Sequence, residues 1–329
     1  MTNKRKKYIN SCEISEVKTY KLHQLEQKVL IEGKSKSNPI IIFLHGGPGS
    51  PVPFNVGCRG LYPDITKRFT AVYWDQYGCG INNHPIEESF TIDDFVEMTI
   101  DLVVAVEKDY PNTPINLFGI SWGSLLATKV AERIPSKIHR VFVYGQVIKQ
   151  LFFNEEVYQA FHRVKLSPKK RKQLDKAIAS KEKNDNDYLL MSTFIKKYTE
   201  GYFAKTKDKL HIGKVIKGLL ASPDYSFKDF KAIMNNEMTK NRSIMHELVN
   251  TDITSVLCNI QVPYFIIQGS TDIVTPTAFV KMLVEQANNP FLHLQIYENC
   301  GHIPGDQAMN HILEQGFAFI NQKENIDKE

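Results

Sequence analysis

The 329-residue chain lacks any apolar run long enough to cross a bilayer. Its longest, Ile40 to Leu44 (IIIFL), falls far below the ~20 residues a membrane helix requires, so no membrane partner is expected. A secretory leader is not expected either, because the basic start MTNKRKKYIN is followed by no apolar stretch; this segment reads as a solvated tail. Cysteine is sparse: Cys12, Cys58, Cys79, Cys258 and Cys300 are odd in number, widely scattered and form no CxxC pair. That argues against a disulfide framework, and free thiols in a reducing cytoplasm are the expectation. Internal repeats are absent.

Neither charge sign dominates, with 41 Lys and Arg against 36 Asp and Glu and a net charge of +5. The excess is uneven, since residues 147–250 hold 21 basic against 12 acidic side chains, about +9, and leave the remainder near −4. Runs such as SPKKRKQLDKAIASKEK place those charges at helical spacing without aromatic platforms for bases. A solvated helix face is expected there, and no nucleic-acid partner.

What is present is an alternation of elements. Strand-like Ile40–Leu44 and Ala71–Trp74 are followed by a helical pattern from about Thr91 to Lys108, a strand near Pro114–Phe118, a helix after Ser121 and the strand IHRVFVYG. Such alternation implies an α/β fold with a mostly parallel sheet covered on both faces. EVKTYKL and QKVLIEG, within the first 40 residues, suit an antiparallel edge. From about Val147 to Asn250 only helix-like segments occur, one opening at Ser167–Pro168 with proline at the first helical position. Alternation resumes with VPYFIIQG, a helix opening at Thr275–Pro276, FLHLQIY and a helix near Ala308–Asn321. The expected organisation is a core in two parts, residues 1–146 and 251–329, with a helical cap, residues 147–250, inserted between them.

The stretch FGISWGSLL, Phe118 to Leu126, puts Ser121 between two glycines at a strand-to-helix junction. Flanking glycines permit the strained turn that thrusts a serine hydroxyl outward. A serine hydroxyl needs a histidine to take its proton and a carboxylate to orient that histidine. His302, in ENCGHIPGD, and Asp272, in GSTDIVTP, each follow a predicted strand at its carboxyl end, where functional loops gather in parallel sheets. The order Ser121, Asp272, His302 is that expected of an α/β-hydrolase. HGGPGS at 45–50 follows another strand, and its glycines let main-chain N–H groups approach a ligand. Gly47 and Trp122 are the expected oxyanion donors, since Pro48 has no N–H. His45 is expected to be a structural hydrogen-bonder.

Taken together, HGGPGS at 45–50, YWDQYGCG at 73–80, GISWGS at 119–124, GSTD at 269–272 and CGH at 300–302 resemble the proline iminopeptidase-like α/β-hydrolases, peptidase family S33. The resemblance spans the whole catalytic core. It implies an eight-stranded hydrolase sheet, a helical cap after the sixth strand, a Ser-Asp-His triad, no cofactor or metal, and removal of an N-terminal residue, often proline, from small peptides. Two departures stand out. Tyr77 and Asn82 replace an arginine and a serine of the family pattern, and no cap glutamate aligns with those that hold the substrate ammonium in the peptidases. Glu155, Glu156, Glu237 and Glu247 are the cap carboxylates considered, each expected as a surface residue. Two further readings stand beside an aminopeptidase: a carboxylesterase or other acyl hydrolase with the same triad, and a non-catalytic binding protein on the same scaffold. The filled triad weighs against the last. Pattern alone assigns no substrate contact and no oligomeric state.

Overall fold

A computed structural model describes residues 1–181 and 183–322. After a short helix, α1 (Asn3–Ile9), strands β1 (Ile14–Leu22) and β2 (Leu25–Gly33) form a hairpin. Its two loop residues, His23 and Gln24, have φ of 46° and 64°, a type I′ geometry whose twist matches the strands it joins. β3 (Ile40–Leu44), β4 (Thr70–Trp74), β5 (Ile115–Ile120), β6 (Arg140–Tyr144), β7 (Tyr264–Gly269) and β8 (Leu292–Tyr297) complete an eight-stranded sheet in the order β1-β2-β4-β3-β5-β6-β7-β8. β2 alone runs against the others. Every residue of β3, β4 and β6 is buried, as a parallel sheet covered on both faces requires.

Alternate strand residues serve opposite layers. Ile40, Ile42, Leu117, Val141 and Ile266 face α3 (Ile92–Asp109), α4 (Trp122–Arg133) and, later in the chain, a helix at Thr277–Ala287. Phe43, Tyr73, Phe118 and Phe142 face α2 (Pro63–Thr66) and the terminal helix at Asp306–Ile320. Thr91 and Asp94 cap α3 reciprocally, which fixes its start one residue after the position read from sequence.

Between β6 and β7 lie α5 (Glu155–His162), α6 (Pro168–Ala179), α7 (Asp185–Tyr198), α8 (Ile212–Leu220), α9 (Phe227–Met234), α10 (Arg242–Asn250) and α11 (Thr254–Cys258), with no strand among the described residues. The segment leaves and re-enters the core side by side: Lys149 and Asp252 form an antiparallel bridge, and Ile253 N donates to Ile148 O at 3.1 Å. α12 (Thr277–Ala287) and α13 (Asp306–Ile320) follow.

Two sequence expectations are corrected. The N-terminus is not a solvated tail, because α1 carries Arg5 into a cage of carbonyls. Its guanidinium donates to Arg59 O at 2.5 Å, Gly218 O at 2.6 Å and Gly57 O at 2.8 Å. Those carbonyls belong to segments distant in sequence, so local pattern cannot show that they converge. Nor does Pro276 occupy the first position of α12: it is the capping residue itself, and the helix starts at Thr277. Thr275 is drawn instead to Asp272, with which it shares two hydrogen bonds.

α13 packs flush on the sheet at Gly316, where a Cβ would fall inside the ring of Phe142. Phe142 is itself stacked on Phe118 at 4.4 Å and cannot retreat. Gly316→Ala is therefore expected to cost about 1–3 kcal/mol through overpacking, read as a lower urea midpoint. An unchanged midpoint would show that α13 is free to shift.

Candidate active site

Ser121 occupies a single residue between β5 and α4, with φ 51° and ψ −117°. A non-glycine residue held there costs on the order of 1–3 kcal/mol, so its surroundings must enforce the turn. Ser121 N donates to Tyr144 O at 2.9 Å, while Ser121 O accepts from Ser124 N at 2.8 Å and Ser124 Oγ at 2.6 Å. The glycines admit close approach. A Cβ on Gly119 would lie 2.5 Å from Gly123 O, and one on Gly123 would fall on the carbonyl oxygen of Leu44. The hydroxyl is thereby lifted clear of the sheet edge.

The loop after β8 brings His302 to it. Nε2 lies 2.8 Å from Ser121 Oγ, and Nδ1 lies 2.8 Å from Asp272 Oδ2. An ionised carboxylate only accepts, so Nδ1 carries the ring proton and Nε2 is left to accept from the serine hydroxyl. Asp272 is fully buried and its oxygens are saturated. Oδ1 accepts from Val274 N at 2.8 Å and Thr275 N at 3.1 Å, and Oδ2 accepts from Thr275 Oγ1 at 2.8 Å and Gln268 Nε2 at 3.3 Å. Gly145, with φ 68°, gives the imidazole room, since a Cβ there would sit 3.3 Å from its Cε1.

Behind the serine lies a buried polar chain. His45 Nδ1 donates to Gly46 O at 2.9 Å and Nε2 accepts from Gln76 N at 3.0 Å, while Gln76 Oε1 accepts from the Trp122 indole at 2.7 Å. This chain links the 45–50 loop, the 75–82 loop and the first residue of α4. Gly46 touches the serine turn: a Cβ on it would lie 3.5 Å from Ser121 Cβ. Gly47 adopts φ 120°, and the main-chain N–H groups of Gly47 and Trp122 have no protein acceptor among the described residues. Of the motif departures, Asn82 is structural: it accepts from Lys28 N and donates to Lys28 O and Asp75 O. Tyr77 stacks on His84 and Phe90.

Asp75 and Gln76, within WDQYG, are neighbours of the serine turn that the reading centred on Ser121 did not single out. Asp75 accepts from Val56 N, Ile81 N and the hydroxyl of Tyr225, a residue between α8 and α9. All four cap carboxylates considered from sequence have partners. Glu247 caps α3 through Ile92 N, Glu156 accepts from Ala278 N, and the exposed Glu155 bonds Gln159. Glu237 differs. Its N–H donates to Gly78 O at 2.8 Å, its neighbour Asn236 packs on Gly49, and its carboxylate meets Lys240 at 2.7 Å. It thus stands where the cap rests on both loops that flank Ser121. A cavity of about 480 Å³ lies on the outer side of the histidine loop, lined by Phe203, Leu210, Tyr297, Cys300 and Ile303. Among the described residues no cluster of three or more His, Cys, Asp or Glu could hold a metal, and no helix is long and apolar enough to cross a membrane.

An eight-stranded sheet of this order, with a serine turn after β5, defines a class. The alpha/beta hydrolase fold family matches residues 39–308, and the chain belongs to that family of hydrolases. The resemblance to proline iminopeptidases is borne out by its relatives. It is 25% identical over 297 residues to the probable aminopeptidase YbaC of Bacillus subtilis strain 168, covering 88% of this chain and 92% of that one. It is 23% identical over 296 residues to the proline iminopeptidase of Lactobacillus crispatus, covering 89% and 93%. The crystal structure of a proline iminopeptidase from Mycobacterium smegmatis shares the fold, with a TM-score of 0.63 at 18% identity over 93% of this chain and 98% of that one.

Burial pushes the pKa of His45 from 6.5 down to about 4. The folded chain then binds fewer protons than the unfolded one across that window, so this group lowers stability as pH falls from about 6.5 to 4. Asp75, pushed from 3.8 up to about 6 by burial, acts oppositely and lowers stability as pH rises across its window. The urea-midpoint gap between wild type and His45→Gln is expected to narrow from pH 7 to pH 4, since the variant has no imidazole to charge. A gap constant with pH would show that His45 is not proton-linked.

Proposed function

We propose that the protein is a serine hydrolase working through an acyl-enzyme, and that it removes N-terminal residues from small peptides or amides in the manner of a proline iminopeptidase. The observation that carries the chemistry is the pair of 2.8 Å contacts joining Ser121, His302 and Asp272. His302 takes the Ser121 proton as the hydroxyl attacks a carbonyl carbon, and Asp272 steadies the imidazolium. The N–H groups of Gly47 and Trp122 receive the oxyanion. His302 then protonates the leaving group and activates water to release the acyl product.

The aminopeptidase reading draws support from the names its relatives carry, and Glu237, whose main-chain N–H bonds Gly78 O, is the cap carboxylate it assigns to a substrate ammonium. The Lys240 ion pair favours a second reading, a carboxylesterase, because it already balances that charge. No step in either reading calls for a cofactor or metal.

Turnover of proline p-nitroanilide, its N-acetylated counterpart and p-nitrophenyl acetate separates the two. Cleavage of the free-amine anilide alone, lost in Ser121→Ala, is expected; cleavage of the ester alone would establish the esterase instead. Full activity in a folded Ser121→Ala would reject both. Glu237→Gln is expected to raise KM for the free-amine substrate about tenfold or more, the scale of a lost charged hydrogen bond. An unaltered KM would remove Glu237 from the amine site.

A further inference from the structure

The main chain around His302 belongs to no strand or helix: residues 298–305 run irregularly from β8 to α13. From the core, the Tyr144 hydroxyl donates to Gly301 O, Thr271 N donates to Cys300 O at 3.0 Å and Asn299 N donates to Ser270 Oγ at 2.9 Å; further support comes from the cap, through residues 199–211, which join α7 to α8. His302 N donates to Gly201 O and Ile303 N to Tyr202 O, both at 2.8 Å, and Thr271 Oγ1 donates to Glu200 O at 3.1 Å. The Tyr202 ring stands edge-on to the imidazole at 5.7 Å.

The far end of this strap is held by two carboxylates, one on each side. Asp208 Oδ1 accepts from Gln307 N at 3.1 Å and Oδ2 from Ala308 N at 2.9 Å, the otherwise unpaired donors of the first turn of α13. Asp306 replies from that turn, accepting from His211 N at 3.0 Å and His211 Nδ1 at 2.9 Å. Gly305 makes the approach possible. A Cβ there would collide with the Asp208 carboxylate, which supplies all three of its nearest atoms, although φ −71° suits any residue.

We propose that Asp208 is a positioning residue for His302: it pins the cap strap to α13, and the strap's carbonyls then hold the base against Ser121. This rests on the serine-hydrolase reading. The strap has no helix or strand of its own between Thr199 and His211; α7 and the histidine loop hold it at Thr199 to Tyr202, and α13 holds it at Asp208 to His211. A carboxylate that only stabilised α13 would lower the melting temperature and leave chemistry intact, whereas a positioning role lowers the reaction rate of the folded protein.

The test is the rate at which a fluorophosphonate labels Ser121, with kcat and KM for whichever substrate is turned over, at a temperature where each variant is folded by circular dichroism. Asp208→Ala is expected to slow labelling and reduce kcat at least about tenfold, the scale of a misplaced catalytic group, with KM changed less than kcat. Asp208→Asn, which keeps one acceptor, should fall between. Gly305→Ala should reproduce the loss alone and add nothing in the Asp208→Ala background, where the collision is gone. Wild-type labelling rates in folded Asp208→Asn and Gly305→Ala, or additive losses in the double variant, would overturn the inference. A wild-type protein that resists labelling at Ser121 would overturn the serine-hydrolase reading itself, and the inference with it.

Discussion

The positive φ of Ser121 is the constraint on which the rest of the site depends. A strand that simply continued would point the hydroxyl onto one face of the sheet, towards a packed layer, and a helix that began earlier would bury it. The turn holds because Gly119 and Gly123 approach each other within backbone contact and Gly123 lies on the Leu44 carbonyl, so the end of β3 and the start of α4 meet directly beneath the serine. That contact brings the 45–50 loop, which continues from β3, against the serine turn. The same glycines that permit the serine turn therefore bring the neighbouring loop, with the Gly47 N–H, up to it.

Buried polar groups fix the remaining loops. His45, Gln76 and Trp122 form one hydrogen-bonded chain, and Asp75, the residue before Gln76, accepts from Val56 N, Ile81 N and the Tyr225 hydroxyl. Groups of this kind are costly to leave unpaired in a low-dielectric interior, which gives the loops one arrangement instead of several. The cap enters the same network through Tyr225, through the bidentate Arg59–Asp224 pair and through Arg5. The cap is thus continuous with the polar scaffold of the site.

Much of the fold was legible because its signals are local. Apolar runs bounded by proline and glycine mark β3 and β5, the apolar run Ala71–Trp74 marks β4, Thr91 marks the start of α3, and Ser167–Pro168 marks α6. The constellation of Ser121, Asp272 and His302 was legible for a different reason: each residue follows a strand whose carboxyl end must lie at the same sheet edge. What stayed hidden depends on pairs far apart in sequence. Arg5 is caged by carbonyls from residues 57, 59 and 218, and nothing in MTNKRKKYIN distinguishes that arginine from its basic neighbours. Thr275 looks like a helix start because a proline follows, yet the buried carboxylate of Asp272 outcompetes the helix for it. Asp208 reads as one acidic residue in a lysine-rich stretch until α13 is seen to lie against it.

These contacts set access to the site against its integrity. A cap that lifted as a rigid lid would carry residues 201 and 202 with it and withdraw two hydrogen bonds from the backbone of the histidine loop. It would also break the Asp75–Tyr225 bond and the Arg59–Asp224 pair, exposing or orphaning charges that are costly to leave unpaired. A cap that stays seated keeps His302 in register, at the cost of a narrower path to Ser121. The contacts therefore favour a cap that stays seated as a wall over one that lifts as a lid, with Asn236 resting on Gly49 and Glu237 and Met238 on Gly78.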